Sequence, residues 1–434
     1  MQIIDEVEKG SHLDETIDKY FTDNAIDQRL HGIIYEITSG TIRWKLYLQY
    51  VLSHLAKKSV KRHIQYLLLI TLYQITFMKK APYHVVKEAV EYAKKTEGRY
   101  VAGFVNAILR RYLREYLGDN EKDALGPQLI KYLQVLKNIK TNTQRLAVMH
   151  SFPEWLIKRW VQRLGERETE ELCAALNKSP DFALRVDTTK MTPEDALDYL
   201  EKKGIKARRG KFLNTALYVD RLAPLLKDHI FQQGFVHVQD EASQLAGIAV
   251  QPEKGDVILD ACCGMGTKTR HIDELSHEHS NEIRIFSMDI QARKIKSLDK
   301  ISYLINGDVL INPFKKNTFN KILLDAPCSS IGIIRKHPEI KWRLKENDIQ
   351  ANRRKQLALL KALWGCLKYN GCLIYSVCSF EPEETLGVID GFKKENKFIV
   401  ENPLPSLFNN AGWFLSMPHK TGLDGFFIAK LRKI

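Results

Sequence analysis

The chain lacks paired cysteines: there are seven in 434 residues, and none stand in a C-x-x-C arrangement. An odd number without paired spacing argues against a disulfide framework and against a structural zinc site. No metal is expected, and a reducing, cytoplasmic setting is the simplest inference. Long apolar runs are missing as well. The longest, Ile64–Met78, is interrupted by Gln65 and Gln74, and it is shorter than the ~20 residues a membrane span needs. It reads as a buried core helix, and no membrane partner is expected. The opening Met1-Gln-Ile-Ile-Asp-Glu-Val-Glu8 is acidic and carries no apolar stretch of a secretory signal. There is no internal repeat and no low-complexity tract. Glycine and proline are scarce up to about residue 140, where apolar residues recur at helical spacing instead.

What is present is positive charge. Lys and Arg number 66 against 52 Asp and Glu, a net +14. Such a surplus favours a polyanionic partner, nucleic acid first, although charge alone also fits an inert basic surface. The composition, 44% hydrophobic and 27% charged, is that of an ordinary globular protein, and the length suggests two or three domains.

The first domain, residues 1–140, is expected to be an all-helical bundle. In Phe104-Val-Asn-Ala-Ile-Leu-Arg-Arg-Tyr-Leu113, Phe104, Ile108 and Tyr112 share one helical face with Leu109 and Leu113 beside it. Pro82 separates this region's apolar helix from another over Tyr83–Lys95. Periodicity fits a plain helical domain and an RNA-docking module equally. Residues 141–235 read as a small α/β unit that faces RNA or carries one exposed basic loop. It has a strand at Phe182–Asp187, a helix opened by Thr192-Pro-Glu-Asp195 and closed at Gly204, and a basic strand from Ile205 to Lys211. From 236 to 434 strands and helices alternate. Strands are expected at Phe235–Val238, Val257–Asp260, Ile283–Asp289, Ser302–Asn306, Lys321–Leu324 and Gly371–Val377. A hairpin of Trp413–Met417 and Gly425–Leu431 closes the chain. Repeated βα units imply a doubly wound parallel sheet, an α/β fold.

In such sheets ligands bind beyond the carboxyl ends of the strands. One strand there runs into Asp325-Ala-Pro-Cys328, where proline forces a turn. Another runs into Cys378. A third, Val257–Asp260, leads into Ala261-Cys-Cys-Gly-Met-Gly-Thr-Lys268, whose glycines 264 and 266 let a ligand approach the backbone. This loop is not a Walker A motif, because Thr267 rather than glycine precedes Lys268. Nor is it a dinucleotide fingerprint, because Thr269 stands where the third glycine belongs. The next strand ends in Asp289, able to accept both hydroxyls of a ribose, and Asn306-Gly-Asp308 follows at an adenine-edge position. Glycines and a ribose-binding carboxylate without a phosphate cradle suit a nucleoside with an uncharged tail, such as S-adenosylmethionine. The plainer alternative is that Asp289 and Asp308 cap turns.

The strands after Asp308 are expected to be neighbours. Cys328 and Cys378 would then converge on one cleft beside Asp325. A thiolate is a strong nucleophile when charge or hydrogen bonds lower its pKa. Two thiols and a carboxylate next to a methyl donor suggest attack on an electron-poor ring. Cys173, Cys366 and Cys372 read as packing residues, as do Cys262 and Cys263.

The chain resembles the Sun/Fmu (RsmB-type) family of RNA cytosine-C5 methyltransferases over essentially its full length. The resemblance is carried by Asp325-Ala-Pro-Cys-Ser with Arg335-Lys-His-Pro-Glu-Ile-Lys-Trp342, by Tyr375-Ser-Val-Cys-Ser-Phe-Glu-Pro-Glu-Glu384, by Asp424-Gly-Phe-Phe-Ile-Ala-Lys430 and by Val238-Gln-Asp-Glu-Ala-Ser-Gln-Leu245. The helices before them resemble a NusB-type RNA-binding domain, most clearly at Gly103-Phe-Val-Asn-Ala-Ile-Leu-Arg110. A monomer is expected, though the sequence does not give the oligomeric state; the resemblance implies an enzyme that methylates small-subunit (16S) ribosomal RNA with S-adenosylmethionine. It implies that Cys378 attacks C6 of a cytosine, that Asp325 bonds the ring at N3, and that Cys328 assists release. The residues themselves leave open which thiol attacks. It implies cofactor contacts at Cys262, Cys263, Gly264, Met265, Gly266, Thr267, Lys268, Asp289, Asp308 and Asp325.

Two departures stand out. The family's Ala-Ala-Pro-Gly-Gly before the lysine reads Cys263-Gly-Met-Gly-Thr267 here, which bears on cofactor affinity. Ser330 stands where glycine is usual. A paired target base would have to be flipped out to reach the cleft. Trp342, Arg343, Arg353 and Arg354 either support RNA or form a solvated face. The competing function is a non-catalytic RNA-binding or antitermination factor, against which both thiols and Asp325 speak. The same chemistry on transfer RNA stays open.

Overall fold

The computed structural model of the chain describes residues 1–57, 60–78, 80–117, 139–278, 282–298, 300–408 and 412–434. These fall into two compact units: residues 1–178 with 336–344, and residues 179–335 with 345–434. The division at Lys178 does not coincide with the boundary expected at 140.

The first unit is helical. Its helices up to Tyr112 run Gln2–Glu8, Leu13–Asp23, Gln28–Arg43, Lys45–Leu55, Arg62–Thr76, Pro82–Glu97 and Arg99–Tyr112. Pro82 takes the first helical position, where its missing N–H costs nothing. Arg62–Thr76 is the buried helix read from the apolar run, and Leu68, Leu69 and Leu72 lie in the core. Leu109 and Tyr112 pack there too. After residue 139 come Asn142–His150, Glu154–Leu164 and Glu166–Asn177. Segment 336–344 belongs to this unit. Its Lys341 ammonium is buried and donates to Arg43 O and Ser151 O, each at 3.1 Å, and to Asn177 Oδ1 at 2.6 Å. The indole N–H of Trp342 donates to Ile42 O at 2.8 Å, so this side chain serves the fold.

The second unit contains two sheets. Strands β1 (Phe182–Val186), β2 (Ala207–Arg209), β3 (Ala216–Val219) and β4 (Val236–Val238) form an antiparallel sheet in the order β2-β3-β1-β4. Thr192 caps the intervening helix by accepting from Asp195 N at 3.1 Å. The larger sheet is built from β5 (Val257–Asp260), β6 (Arg284–Asp289), β7 (Tyr303–Asn306), β8 (Phe319–Asp325), β9 (Leu367–Val377), β10 (Phe398–Glu401), β11 (Trp413–Ser416) and β12 (Phe426–Lys433). Its order is β10-β12-β9-β8-β5-β6-β7, with β11 paired to β12.

The expected parallel sheet is therefore mixed. Strands β9, β8, β5, β6 and β7 run parallel, but β12 lies antiparallel between β9 and β10. The closing hairpin inserts its second strand into the sheet instead of adding to an edge. Strands β3 and β10 lie outside the expectation; both are four residues long, too short for a clear alternation. Strand β8 is covered on both faces. Ile322 and Leu324 join one apolar cluster and Leu323 another, all fully buried. Burial on both faces is what makes a parallel strand read as continuous apolar sequence, and each such side chain contributes about 1.5–3 kcal/mol.

A buried Arg185 on β1 ties the small sheet to the helix Thr267–Glu278. Its guanidinium donates to Glu274 Oε1 at 2.7 Å and to Thr267 O at 3.2 Å. Nearby, Asp187, His237 and Glu274 have the spacing of metal ligands, but Lys190 lies 3.1 Å from Asp187, so with Arg185 the two carboxylates already have cationic partners.

Candidate active site

Strands β8 and β9 are adjacent, parallel and in register, with Asp325 opposite Ser376. Their carboxyl ends consequently deliver Cys328 and Cys378 to one place. The two sulfur atoms lie 3.3 Å apart. Asp325 ends β8, where its Oδ2 takes a hydrogen bond from Lys268 Nζ at 2.6 Å and its Oδ1 one from Ser376 Oγ at 2.8 Å. Burial opposes the charge on Lys268, but Asp325 outweighs it and holds the ammonium pKa above its ordinary value.

The two thiols are not equivalent. The two sulfurs share one hydrogen bond that either can donate; with Cys328 donating, the Cys378 thiol is held below its ordinary pKa and that of Cys328 is driven well above it. Burial opposes ionisation of both. The surroundings break the tie: Cys378 also meets the Ser330 hydroxyl at 3.5 Å and feels the opposed charges of Asp325 and Lys268, whereas Cys328 feels the Glu384 carboxylate. Cys378 is the sulfur that ionises more readily.

Behind the thiols lies a buried polar network that sequence reasoning missed. Glu384 accepts from Ser329 N at 2.7 Å, from Ser379 Oγ at 2.6 Å and from the Ser329 hydroxyl. Gln356 donates to Pro327 O at 3.0 Å and to Glu384 at 3.3 Å. These bonds clamp the loop after β8 to the loop after β9. Gly332 completes the clamp, since an added Cβ would fall 1.9 Å from Gly425 O. A buried glutamate six residues after a cysteine carries no local signal of this role.

An open cleft of about 380 Å³ reaches Asp325 and Pro327 at the end of β8; neither Cys328 nor Cys378 lines it. Of the expected cofactor contacts, Cys262, Gly264, Asp289, Asp308 and Asp325 line it. Cys263 is buried behind it, and Met265 points outward, 63% exposed. Gly266, Thr267 and Lys268 support the loop without lining the cleft. Gly266 has φ +75°, and a Cβ there would stand 2.3 Å from the Leu298 side chain. Ile290, Lys294, Pro327, Lys355 and Leu359 also line the cleft and were not foreseen.

Asp289 and Asp308 do cap turns: Asp289 accepts from Gln291 N at 2.8 Å and Gly264 N at 3.0 Å, and Asp308 from Leu310 N at 2.9 Å. A carboxylate has about four lone-pair sites, so both keep capacity for a ligand. Asp260, fully buried under the loop, has its pKa pushed up to about 7 by burial, and its Oδ1 has no partner among the described residues. Of the basic residues considered for RNA, Arg353 donates to Gly387 O at 3.3 and 3.2 Å, and Arg343 to His12 at 2.9 Å. Among the described residues no helix is long and apolar enough to cross a membrane.

A Rossmann-like sheet, a glycine loop without a phosphate cradle, and aspartates at the ends of neighbouring strands define an S-adenosylmethionine-dependent methyltransferase. The cleft-lining carboxylates Asp289 and Asp308 fit the nucleoside of that cofactor. Comparison with known proteins narrows the class. Residues 247–432 match the model of the 16S rRNA methyltransferase RsmB/F family, residues 1–114 the NusB family, and residues 152–225 the RsmF/B-like ferredoxin-like domain. The probable ribosomal RNA small subunit methyltransferase B of Bacillus subtilis (strain 168) is 31% identical, over 94% of this chain and 92% of that protein. The ribosomal RNA small subunit methyltransferase B of Pasteurella multocida (strain Pm70) is 30% identical, over 93% and 88%. The crystal structure of PH0851 shares the fold, with TM-score 0.78 at 23% identity over 99% of this chain and 97% of that one. The chain belongs to the RsmB family of methyltransferases.

Proposed function

We propose that the chain transfers a methyl group from S-adenosylmethionine to C5 of a cytosine in small-subunit (16S) ribosomal RNA, through a covalent bond between Cys378 and C6. The observation that carries this reading is the 3.3 Å approach of the Cys328 and Cys378 sulfurs beside Asp325. The names of the relatives support the ribosomal substrate, and the net charge of +14 suits it. The helical region 1–140 and the small α/β region 141–235 bind RNA, and region 236–434 carries the chemistry. The enzyme works as a monomer in the cytoplasm.

The cofactor supplies an electrophilic methyl group. The Cys378 thiolate adds to C6, and the C5=C6 electrons move into the ring, leaving C5 electron-rich. Asp325, oriented by Lys268 and Ser376, enters this step protonated and delivers its proton to N3, which neutralises the negative charge that addition at C6 develops there. Once C5 is methylated, N3 returns its proton to Asp325, a water molecule takes the proton from C5, the C5=C6 bond re-forms and the Cys378 thiolate leaves. Cys328 assists this elimination.

The test uses labelled methyl incorporation into ribosomal RNA. Cys378→Ala abolishes transfer while binding of S-adenosylmethionine persists. Cys328→Ala accumulates a covalent protein–RNA adduct, visible as a shifted gel band. An adduct that builds up in the Cys378 variant instead would reverse the two roles, and no label in cytosine from the unaltered enzyme would end the proposal.

A further inference from the structure

Ser330 combines two features that belong together. Its backbone is left-handed, φ +58° and ψ +21°, a conformation that a residue with a Cβ adopts at a cost of about 1 kcal/mol or more. It precedes the short turn Ile331–Ile333, yet its side chain makes no capping bond to that turn. The hydroxyl faces Cys378 instead, with 3.5 Å between Oγ and Sγ. The adjacent Ser329 behaves differently: its hydroxyl meets Glu384 and Ser379, in the network that clamps the loops. Two neighbouring serines thus divide the work, one holding the loop and one contacting the sulfur.

A hydroxyl both accepts and donates. While Cys378 carries its proton, the S–H donates to Ser330 Oγ. When the proton leaves, the hydroxyl rotates and donates to the thiolate. The other groups facing this sulfur are Cys328 at 3.3 Å, and the charges of Lys268 and Asp325, which act in opposite directions. Asp325 and Lys268 hold each other at 2.6 Å, so neither charge acts on the sulfur without its counter-charge beside it. A thiol is a weak donor, which leaves Ser330 as the stronger of the two donors.

We propose that Ser330 is a positioning residue for the nucleophile: its hydroxyl stabilises and aims the Cys378 thiolate, and the left-handed backbone at this position brings it there. This rests on Cys378 being the attacking sulfur.

The substitutions separate this role from a structural one. Glycine adopts left-handed backbone freely, so Ser330→Gly folds at least as stably as the parent chain. Ser330→Ala keeps the strain and loses the hydroxyl. Asparagine tolerates the conformation and restores a donor. The readout is the rate of iodoacetamide alkylation at Cys378 as a function of pH, followed on the Cys378 peptide by mass spectrometry, alongside methyl transfer. In both Ser330→Gly and Ser330→Ala the alkylation profile moves to higher pH by about one unit, so that the thiolate fraction near neutrality falls about tenfold. Methyl transfer falls with it and recovers as pH rises, and Ser330→Asn restores much of the loss. Profiles for Ser330→Gly and Ser330→Ala that overlay the parent, while Cys378→Ala is inactive, overturn the role of the serine alone. Full activity of Cys378→Ala overturns the reading beneath it.

Discussion

Replacing Lys268 by methionine isolates the contribution of one ion pair to the site. The ammonium bonds Asp325 Oδ2 at 2.6 Å, and Asp325 keeps a second bond from Ser376 at 2.8 Å. A hydrogen bond to a charged group contributes about 1.5–3 kcal/mol. The Asp325 side chain is 30% exposed, so water recovers part of that when the lysine is gone. The expected loss of stability is about 1–2 kcal/mol, or about 2–8 °C in melting temperature for a domain of this size. The pKa of Lys268 is raised in the fold, so its contribution is complete below pH 10.5 and is lost only as pH climbs through the folded value. The melting difference between parent and variant therefore stays constant across neutral pH. The effect on catalysis is larger. With one oxygen of Asp325 released, the carboxylate is no longer aimed by two partners, and a displacement on the order of 1 Å costs about a hundredfold in kcat. Methyl incorporation measured at saturating cofactor reads kcat directly, and Lys268→Arg should recover part of it. A variant within twofold of the parent rate, with Asp325→Ala inactive, would refute the claim that the lysine orients the carboxylate.

Other perturbations test the scaffold. Gly266→Ala puts a Cβ 2.3 Å from Leu298 on a backbone with φ +75°; calorimetry should find S-adenosylmethionine binding at least about tenfold weaker, the equivalent of ~1.4 kcal/mol of strain. Gly332→Ala meets the Gly425 carbonyl, which cannot rotate away, and should destabilise the protein by more than about 3 kcal/mol in thermal melts. His150, buried in the helical unit, has its pKa lowered to about 4, first by burial. Its neutral form supports the fold above pH 6.5, and that support is lost as pH falls from 6.5 towards 4. A His150→Leu variant should melt with a flatter acid dependence over that range; an unchanged dependence would show that the histidine does not govern it.

Local sequence signals marked the helical beginning, most strand positions and the candidate site residues at the strand ends. Repeated short apolar runs ending in Asp289, Asp325 and Cys378 carry a local signature, because strand period and turn chemistry are written within a few residues. The run from Lys321 to Leu324 is apolar without alternation because both of its faces are covered. Tertiary structure alone decided that β12 runs antiparallel between β9 and β10, since pairing across the sheet joins residues far apart in the chain. It also decided which functional groups meet. The Lys268–Asp325 pair spans 57 positions, and the bonds from Ser329 to Glu384 span 55. Trp342 and Lys341, candidates for RNA contact or motif residues in the sequence, turn out to have their polar atoms bonded to backbone carbonyls of the helical unit. The asymmetry between the thiols has the same origin: each cysteine sits at a similar strand end, and only the neighbours brought by folding, the Ser330 hydroxyl on one side and Glu384 on the other, separate them.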